Sequence, residues 1–143
     1  MRTYQHKQRG TLIIVVLLAT SLVLTIVGFY SDRRLLWVVP TLLLAGWLFN
    51  SLAIEITGGK LRWSFGPGLI RKRIALAEIT SVKIVRTNVL EGWGIHLSRF
   101  GWLYNVSGFD AVAITLRSGK RFALGTDEPQ VLAVELGKTI QKN

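Results

Sequence analysis

The feature that most constrains this chain is an uncharged run, TLIIVVLLATSLVLTIVGFY, from Thr11 to Tyr30. A helix needs roughly 20 predominantly apolar residues to cross the hydrocarbon core of a bilayer. After the polar connection Ser31-Asp32-Arg33-Arg34 comes a second such run, LLWVVPTLLLAGWLFNSLAI, from Leu35 to Ile54. Backbone groups cannot stay unpaired in lipid, so the two runs predict an antiparallel hairpin of transmembrane helices at about 11–30 and 35–54. Tyr30 and Trp37 then lie near one interface and Trp47 toward the other. Pro40 falls in the first two turns of the second helix, where a lost amide bond is tolerated or kinks it mildly. Ser21 with Thr25, and Thr41 with Ala45, have small-residue spacings that suit a helix–helix contact.

Two other readings of these runs fit less well. The basic start MRTYQHKQR fits a signal peptide, but the apolar run exceeds the usual ~7–15 residues and GFYSD lacks a small-x-small cleavage site. A pair of buried core helices, apolar on every face, needs more surrounding protein than the rest of a 143-residue chain offers.

Charge then orients the chain and points to its partners. Lys and Arg number 18 against 8 Asp and Glu, a net charge of +10 that favours an anionic partner, lipid headgroup or nucleic acid. Arg2, Lys7 and Arg9 precede the first run, and Lys60, Arg62, Arg71, Lys72 and Arg73 follow the second, against Arg33 and Arg34 between them. By the positive-inside rule both termini face the cytoplasm, giving a multi-pass protein of the cytoplasmic membrane. The absence of cysteine excludes disulfides, thiolate metal sites and a cysteine nucleophile. His6 and His96 alone remain as strong nitrogen ligands.

Beyond the apolar runs the pattern changes to alternation. In KLRWSF, Leu61, Trp63 and Phe65 point one way and Lys60, Arg62 and Ser64 the other, the period of a half-buried strand. Gly58-Gly59 marks a hairpin back to Ala53–Ile56, and Gly66-Pro67-Gly68 turns the chain into LIRKRIAL. Val82–Arg86 is a further strand. In GWGIHLSRFGWLYNVSGF, residues 92–109, Trp93, Ile95 and Leu97 share one strand face and His96 and Ser98 the other; Arg99-Phe100-Gly101 is a turn and Trp102–Val106 runs onward. Ala111–Leu116, the turn at Ser118-Gly119, and Lys120–Leu124 add two strands. A helix follows at about 127–141, started by Thr126-Asp127-Glu128-Pro129 and striped by Leu132, Leu136 and Ile140. The fold class is thus an α+β membrane protein: residues 1–54 form a short basic N-terminus and two spans, and residues 55–143 an antiparallel β-sandwich or open barrel closed by a C-terminal helix.

This arrangement, carried by WSFGPGLIRKRIALAEITSVKIV, GWGIHL, GWLYNVSG and AVAITLRSGKRFALGTDEP, resembles small bacterial membrane-anchored proteins with a pleckstrin-homology-like domain behind two spans. The resemblance covers nearly the whole chain and rests on turns and hydrophobic positions. It implies an antiparallel sheet of about seven strands closed by one helix, and a membrane-anchored adaptor. In the eukaryotic family, basic residues around the first hairpin bind phosphoinositide headgroups; Lys60 and Arg62 occupy a similar place here.

No catalytic residue is assigned, and neither metal nor cofactor is expected. His96, Ser98, Ser107, Asp110 and Glu91 lie close in sequence but in no nucleophile-elbow context, and the carboxylates are scattered over separate elements. Gly92-Trp93-Gly94 lacks the third glycine and following helix of a dinucleotide fingerprint. Lys60, Arg62, Arg71, Lys72 and Arg73 are the candidate contact for lipid headgroups or a partner; the bland reading is that they enforce topology and solvate a strand face. Trp93, Trp102 and Tyr104 could stack bases, but their alternation with apolar positions assigns them to the core, so nucleic acid is disfavoured. The expected function is a non-enzymatic membrane-anchored interaction module contacting anionic phospholipid, a membrane protein partner or a second copy. The alternative is a structural or regulatory subunit of a larger membrane complex.

Overall fold

The computed structural model describes residues 2–141. Strand β1 (Arg2–Arg9) pairs antiparallel with β2 (Ser51–Thr57), β2 with β3 (Lys60–Phe65), and β3 with β4 (Ile70–Ala75), a four-stranded meander. The second sheet comprises β5 (Ile79–Arg86), β6 (Gly94–Ser98), β7 (Gly101–Asn105), β8 (Asp110–Leu116) and β9 (Arg121–Gly125), in the order β5-β8-β9-β7-β6. Its pairs are antiparallel except β7 with β9, which run parallel.

Alternation builds the core. Leu52, Ile54 and Ile56 of β2 and Leu61, Trp63 and Phe65 of β3 share one buried cluster with Tyr104, Val112, Ile114, Phe122 and Leu124 of the second sheet. Trp63 stacks on Phe122 at a centroid distance of 5.0 Å and meets Tyr104 edge-on at 5.3 Å, so the indole is the joint between the sheets. Helix α3 (Pro129–Ile140) adds Leu132 and Leu136 to the same cluster, as their four-residue spacing predicts. The glycine- and tryptophan-rich window is sheet: β6 and β7 form a hairpin that pairs Ile95 with Tyr104 and His96 with Leu103.

The second predicted span is corrected. Residues 35–54 divide among the end of a 3-10 segment (Arg33–Trp37), an 11-residue helix α2 (Val38–Leu48) and the start of β2 at Ser51. Pro40 sets the beginning, because proline is tolerated only in a helix's first turn and α2 starts two residues before it. The core sets the end, since Leu52 and Ile54 are claimed by the sandwich at 0% and 1% exposure. Helix α1 (Thr11–Tyr30, 20 residues) is about 30 Å long and is the one described helix long and apolar enough to cross a membrane; α2 reaches about 17 Å. The expected two-span hairpin therefore gives way to one long apolar helix with a short return. The multi-pass placement with both termini in the cytoplasm, which rested on two equal crossings, goes with it. Among the described residues the fold class is α+β, with three α-helices and sheets of four and five strands.

A second difference lies at the N-terminus. Residues read as a basic flank are strand β1, so the helical arm is an insertion between two neighbouring strands. The Gly10 amide donates to the Asn50 carbonyl at 2.7 Å, closing the arm's root next to the Arg9–Ser51 pair. A Cβ on Gly10 would stand 2.6 Å from the Phe49 carbonyl oxygen, and one on Gly66, at φ +46°, would meet the Leu48 carbonyl. Both positions accept only glycine at that approach. Within the arm, Gly28 lies against Leu36 and Gly46 faces Leu17. Ser21 and Gly28 are the buried residues of α1, whereas Thr41 is exposed.

Candidate anion-binding face

The outer face of the meander follows from register. Gln5, Glu55, Arg62 and Arg73 lie in one row across the four strands, and Lys7, Ala53, Ser64 and Arg71 in the next. Arg9 extends the face at the arm's root, and Lys60 extends it at the β2–β3 turn. Lys7, Arg9, Lys60, Arg62, Arg71 and Arg73 are all exposed, and Glu55 is the only carboxylate in these four strands. Glu55 accepts a hydrogen bond from Thr57 Oγ1 at 2.8 Å. Among the described residues none of the six cations forms a salt bridge.

Like charges directly opposite one another, as at Arg62 and Arg73, destabilise a sheet. An anion lying across the face relieves that repulsion. A shallow depression of about 620 Å³ lies on part of it, lined by Gln5, Glu55, Arg62, Ser64, Arg71, the exposed Lys72 and Arg73, with Lys7, Arg9 and Lys60 outside it. Guanidinium groups in adjacent strands present planar donor pairs suited to phosphate oxygens.

The structure splits the five residues singled out in the sequence. Lys60, Arg62, Arg71 and Arg73 share the outer face. Lys72 pairs with Trp63 and so turns the other way: its Nζ donates to the Tyr104 hydroxyl at 2.8 Å and lies 5.3 Å from that ring's centroid. It is a bridge between the sheets. Lys7 and Arg9 join the face instead, because the segment expected to be a basic flank is strand β1. Their strand leaves little mark in the sequence, because Tyr4, His6 and Gln8 on its inner side are too polar to set up an apolar alternation.

The inward side chains of β1 fasten it to the start of α3. His6 Nε2 contacts Asp127 Oδ1, its Nδ1 lies 3.3 Å from Glu128 Oε2, and the Tyr4 hydroxyl donates to Glu128 Oε2 at 3.4 Å. Burial, reinforced by the Glu128 carboxylate, pushes the Tyr4 hydroxyl up to about 12.

Two of the residues considered for catalysis, Ser98 and Glu91, serve local structure, while His96 Nε2 is buried without a hydrogen-bond partner among the described residues. Ser98 Oγ donates to the Gly101 carbonyl and accepts from the Phe100 amide; Glu91 and Asn88 cap a 3-10 turn reciprocally. Of the aromatic residues considered for base stacking, Tyr104 meets Lys72, and neither Trp93, Trp102 nor Tyr104 lines the basic depression. Tyr104 is core, while Trp102, 51% exposed and so not the core residue expected, shares the inward-facing side of its strand with Tyr104. No protein-family model, curated protein or solved structure matches this chain.

Proposed function

We propose that this chain is a non-enzymatic, membrane-attached interaction module whose apolar arm sits in lipid and whose basic β1–β4 face meets anionic headgroups. The observation that carries this reading is a juxtaposition at the arm's root: a helix apolar on all sides, in which Ser21 and Gly28 are the buried residues, leaves the sheet directly beyond Lys7 and Arg9. Apolar side chains such as Leu18, Leu22 and Phe29, each more than half exposed, gain by transfer into hydrocarbon. Each Lys or Arg close to an anionic surface adds about 1 kcal/mol, decaying over a Debye length. Retention of α1 is supported by β1, since cleavage beyond the helix would strip the edge strand from β2. The meander, second sheet and closing helix support a pleckstrin-homology-like scaffold, with Lys60 and Arg62 beside the β2–β3 hairpin.

A second reading, a subunit of a larger membrane complex, is favoured by one feature of the arm. Between α1 and α2 lies an apolar groove of about 210 Å³, lined by Leu17, Leu18, Leu42, Leu43, Gly46 and Trp47, which suits a side chain of another helix. Native mass spectrometry after extraction in mild detergent separates the two. The wild type is expected to retain anionic phospholipid, and the Arg62→Glu/Arg71→Glu/Arg73→Glu variant to lose it. A stoichiometric protein retained by both makes the subunit reading primary, and a wild type that carries no lipid rejects headgroup contact.

A further inference from the structure

The most exposed apolar side chain among the described residues is not on the arm. Leu90, 97% exposed, stands with Val89, 67% exposed, in a 3-10 turn (Val89–Glu91) between β5 and β6. An exposed leucine on a floppy loop would carry little meaning, but this turn is pinned. Asn88 Oδ1 accepts from the Glu91 amide and Glu91 Oε2 from the Asn88 amide, each at 3.0 Å. Glu91 Oε1 lies 3.3 Å from Arg99 Nε, and Arg99 in turn donates to the Arg86 carbonyl at 2.8 Å. Asn88 and Glu91 bind each other and Glu91 reaches Arg99, while the two aliphatic side chains of the turn stand exposed.

Hydrogen bonds connect this turn to the root of the arm. Gln8, three residues before α1, donates to the Ser107 carbonyl at 3.1 Å. The next carbonyl, that of Gly108, accepts from Trp93 Nε1 at 3.2 Å, and the Trp93 ring packs on Phe109 at 6.0 Å. Thr87 closes the other side, its amide and hydroxyl both donating to the Phe109 carbonyl. The turn thus belongs to the end of the second sheet that adjoins the arm; the β8–β9 turn at Ser118 lies at the other end of those strands.

We infer that Val89 and Leu90 form a second lipid contact, a wedge that enters the bilayer interface beside the arm, with Trp93 and the arginines 86 and 99 at headgroup level. The composition matches that of interfacial segments: aliphatic tip, indole behind it, cations flanking. Two separated insertions hold a domain at a defined tilt where one helix leaves it free to swivel. This inference rests on the arm being in lipid and adds an orientation to it.

The chain has no cysteine, so single labels are clean. Leu90→Cys, Ser118→Cys and Val16→Cys would each carry an environment-sensitive fluorophore in the full chain, reconstituted into phosphatidylcholine–phosphatidylglycerol vesicles containing an acyl-chain spin quencher. Labels at 90 and 16 are expected to shift to shorter wavelength and be quenched from the lipid, and the label at 118 to stay accessible to aqueous iodide. If the label at 90 behaves like that at 118 while 16 is quenched, the wedge is wrong and the arm reading stands. If the label at 90 is shielded from iodide yet untouched by the lipid quencher, a protein covers the turn and the wedge is again wrong. An unquenched label at 16 overturns both.

Discussion

The arm and the sandwich are built from the same kinds of side chain and place them in opposite ways. In the sandwich, Leu52, Leu61, Leu103 and Leu124 are 0% exposed; in the arm, Leu18, Leu22 and Leu44 are 53%, 62% and 55% exposed. The sandwich makes its own apolar interior by folding two sheets and a helix over one cluster, and water can be its solvent. The arm makes no interior, since α1 and the short α2 meet along one narrow seam. Its backbone is satisfied within its helices and its apolar side chains stay exposed. If the arm lies in lipid as proposed, the boundary between the two solvents falls beside Gly10 and Asn50.

The largest test of that contrast is excision. Because Gly10 and Asn50 are hydrogen-bonded at 2.7 Å, a short Gly-Ser turn can replace residues 11–48, leaving Phe49 in its edge contact with Phe65 at 5.2 Å. The shortened chain is expected to move from the membrane pellet to the soluble fraction with the near-ultraviolet dichroism of its packed aromatics intact; loss of that signal would mean the arm is part of the fold. Next in size is truncation on either side of the boundary. Trp63→Ala, at the joint between the sheets, should cost about 3–5 kcal/mol in urea unfolding, whereas Trp47→Ala on the arm should change sandwich stability by under about 0.5 kcal/mol. Equal losses would erase the distinction.

The boundary itself can be loaded. Gly66→Ala combines a left-handed backbone with a close approach to the Leu48 carbonyl, and should destabilise by about 1–3 kcal/mol. An unchanged midpoint would show that the root relaxes at no cost. The smallest effect concerns the latch that holds β1. The unfolded Tyr4 hydroxyl deprotonates near 10 and the folded one near about 12. Its contribution is therefore complete below about pH 10 and lost as pH rises toward about 12. Tyr4→Phe should remove this decline, so that the wild type loses stability relative to the variant across that window in pH-dependent melts.

How much of this was legible in the residues can be judged element by element. Alternation in KLRWSF and in the 92–109 window located β3, β6 and β7, because a half-buried strand leaves a period of two wherever one face is apolar. The four-residue stripe of Leu132 and Leu136 located α3. Strand β1 was not legible as a strand because its basic residues matched a topogenic flank, and its inward residues, Tyr4, His6 and Gln8, are polar enough to hide the alternation. The candidate face was half visible: Lys60, Arg62, Arg71 and Arg73 were named as contacts, Lys7 and Arg9 were not, and Lys72 was named although its Nζ is bonded to Tyr104 of the other sheet. A run of three cations in a strand cannot all face one way.

By itself the sequence determined local character: which segments are apolar throughout, which alternate, where glycine and proline interrupt, and that positive charge is in excess. Those properties depend on each residue's own chemistry and its near neighbours. Only the tertiary structure decided that residues 2–9 and 51–57 are adjacent strands, that the second apolar run ends in the core, and that Lys7 and Arg9 join Arg62, Arg71 and Arg73 on one face. Those outcomes depend on long-range strand register, in which Leu52 and Ile54 are worth more inside the sandwich than at the end of a helix.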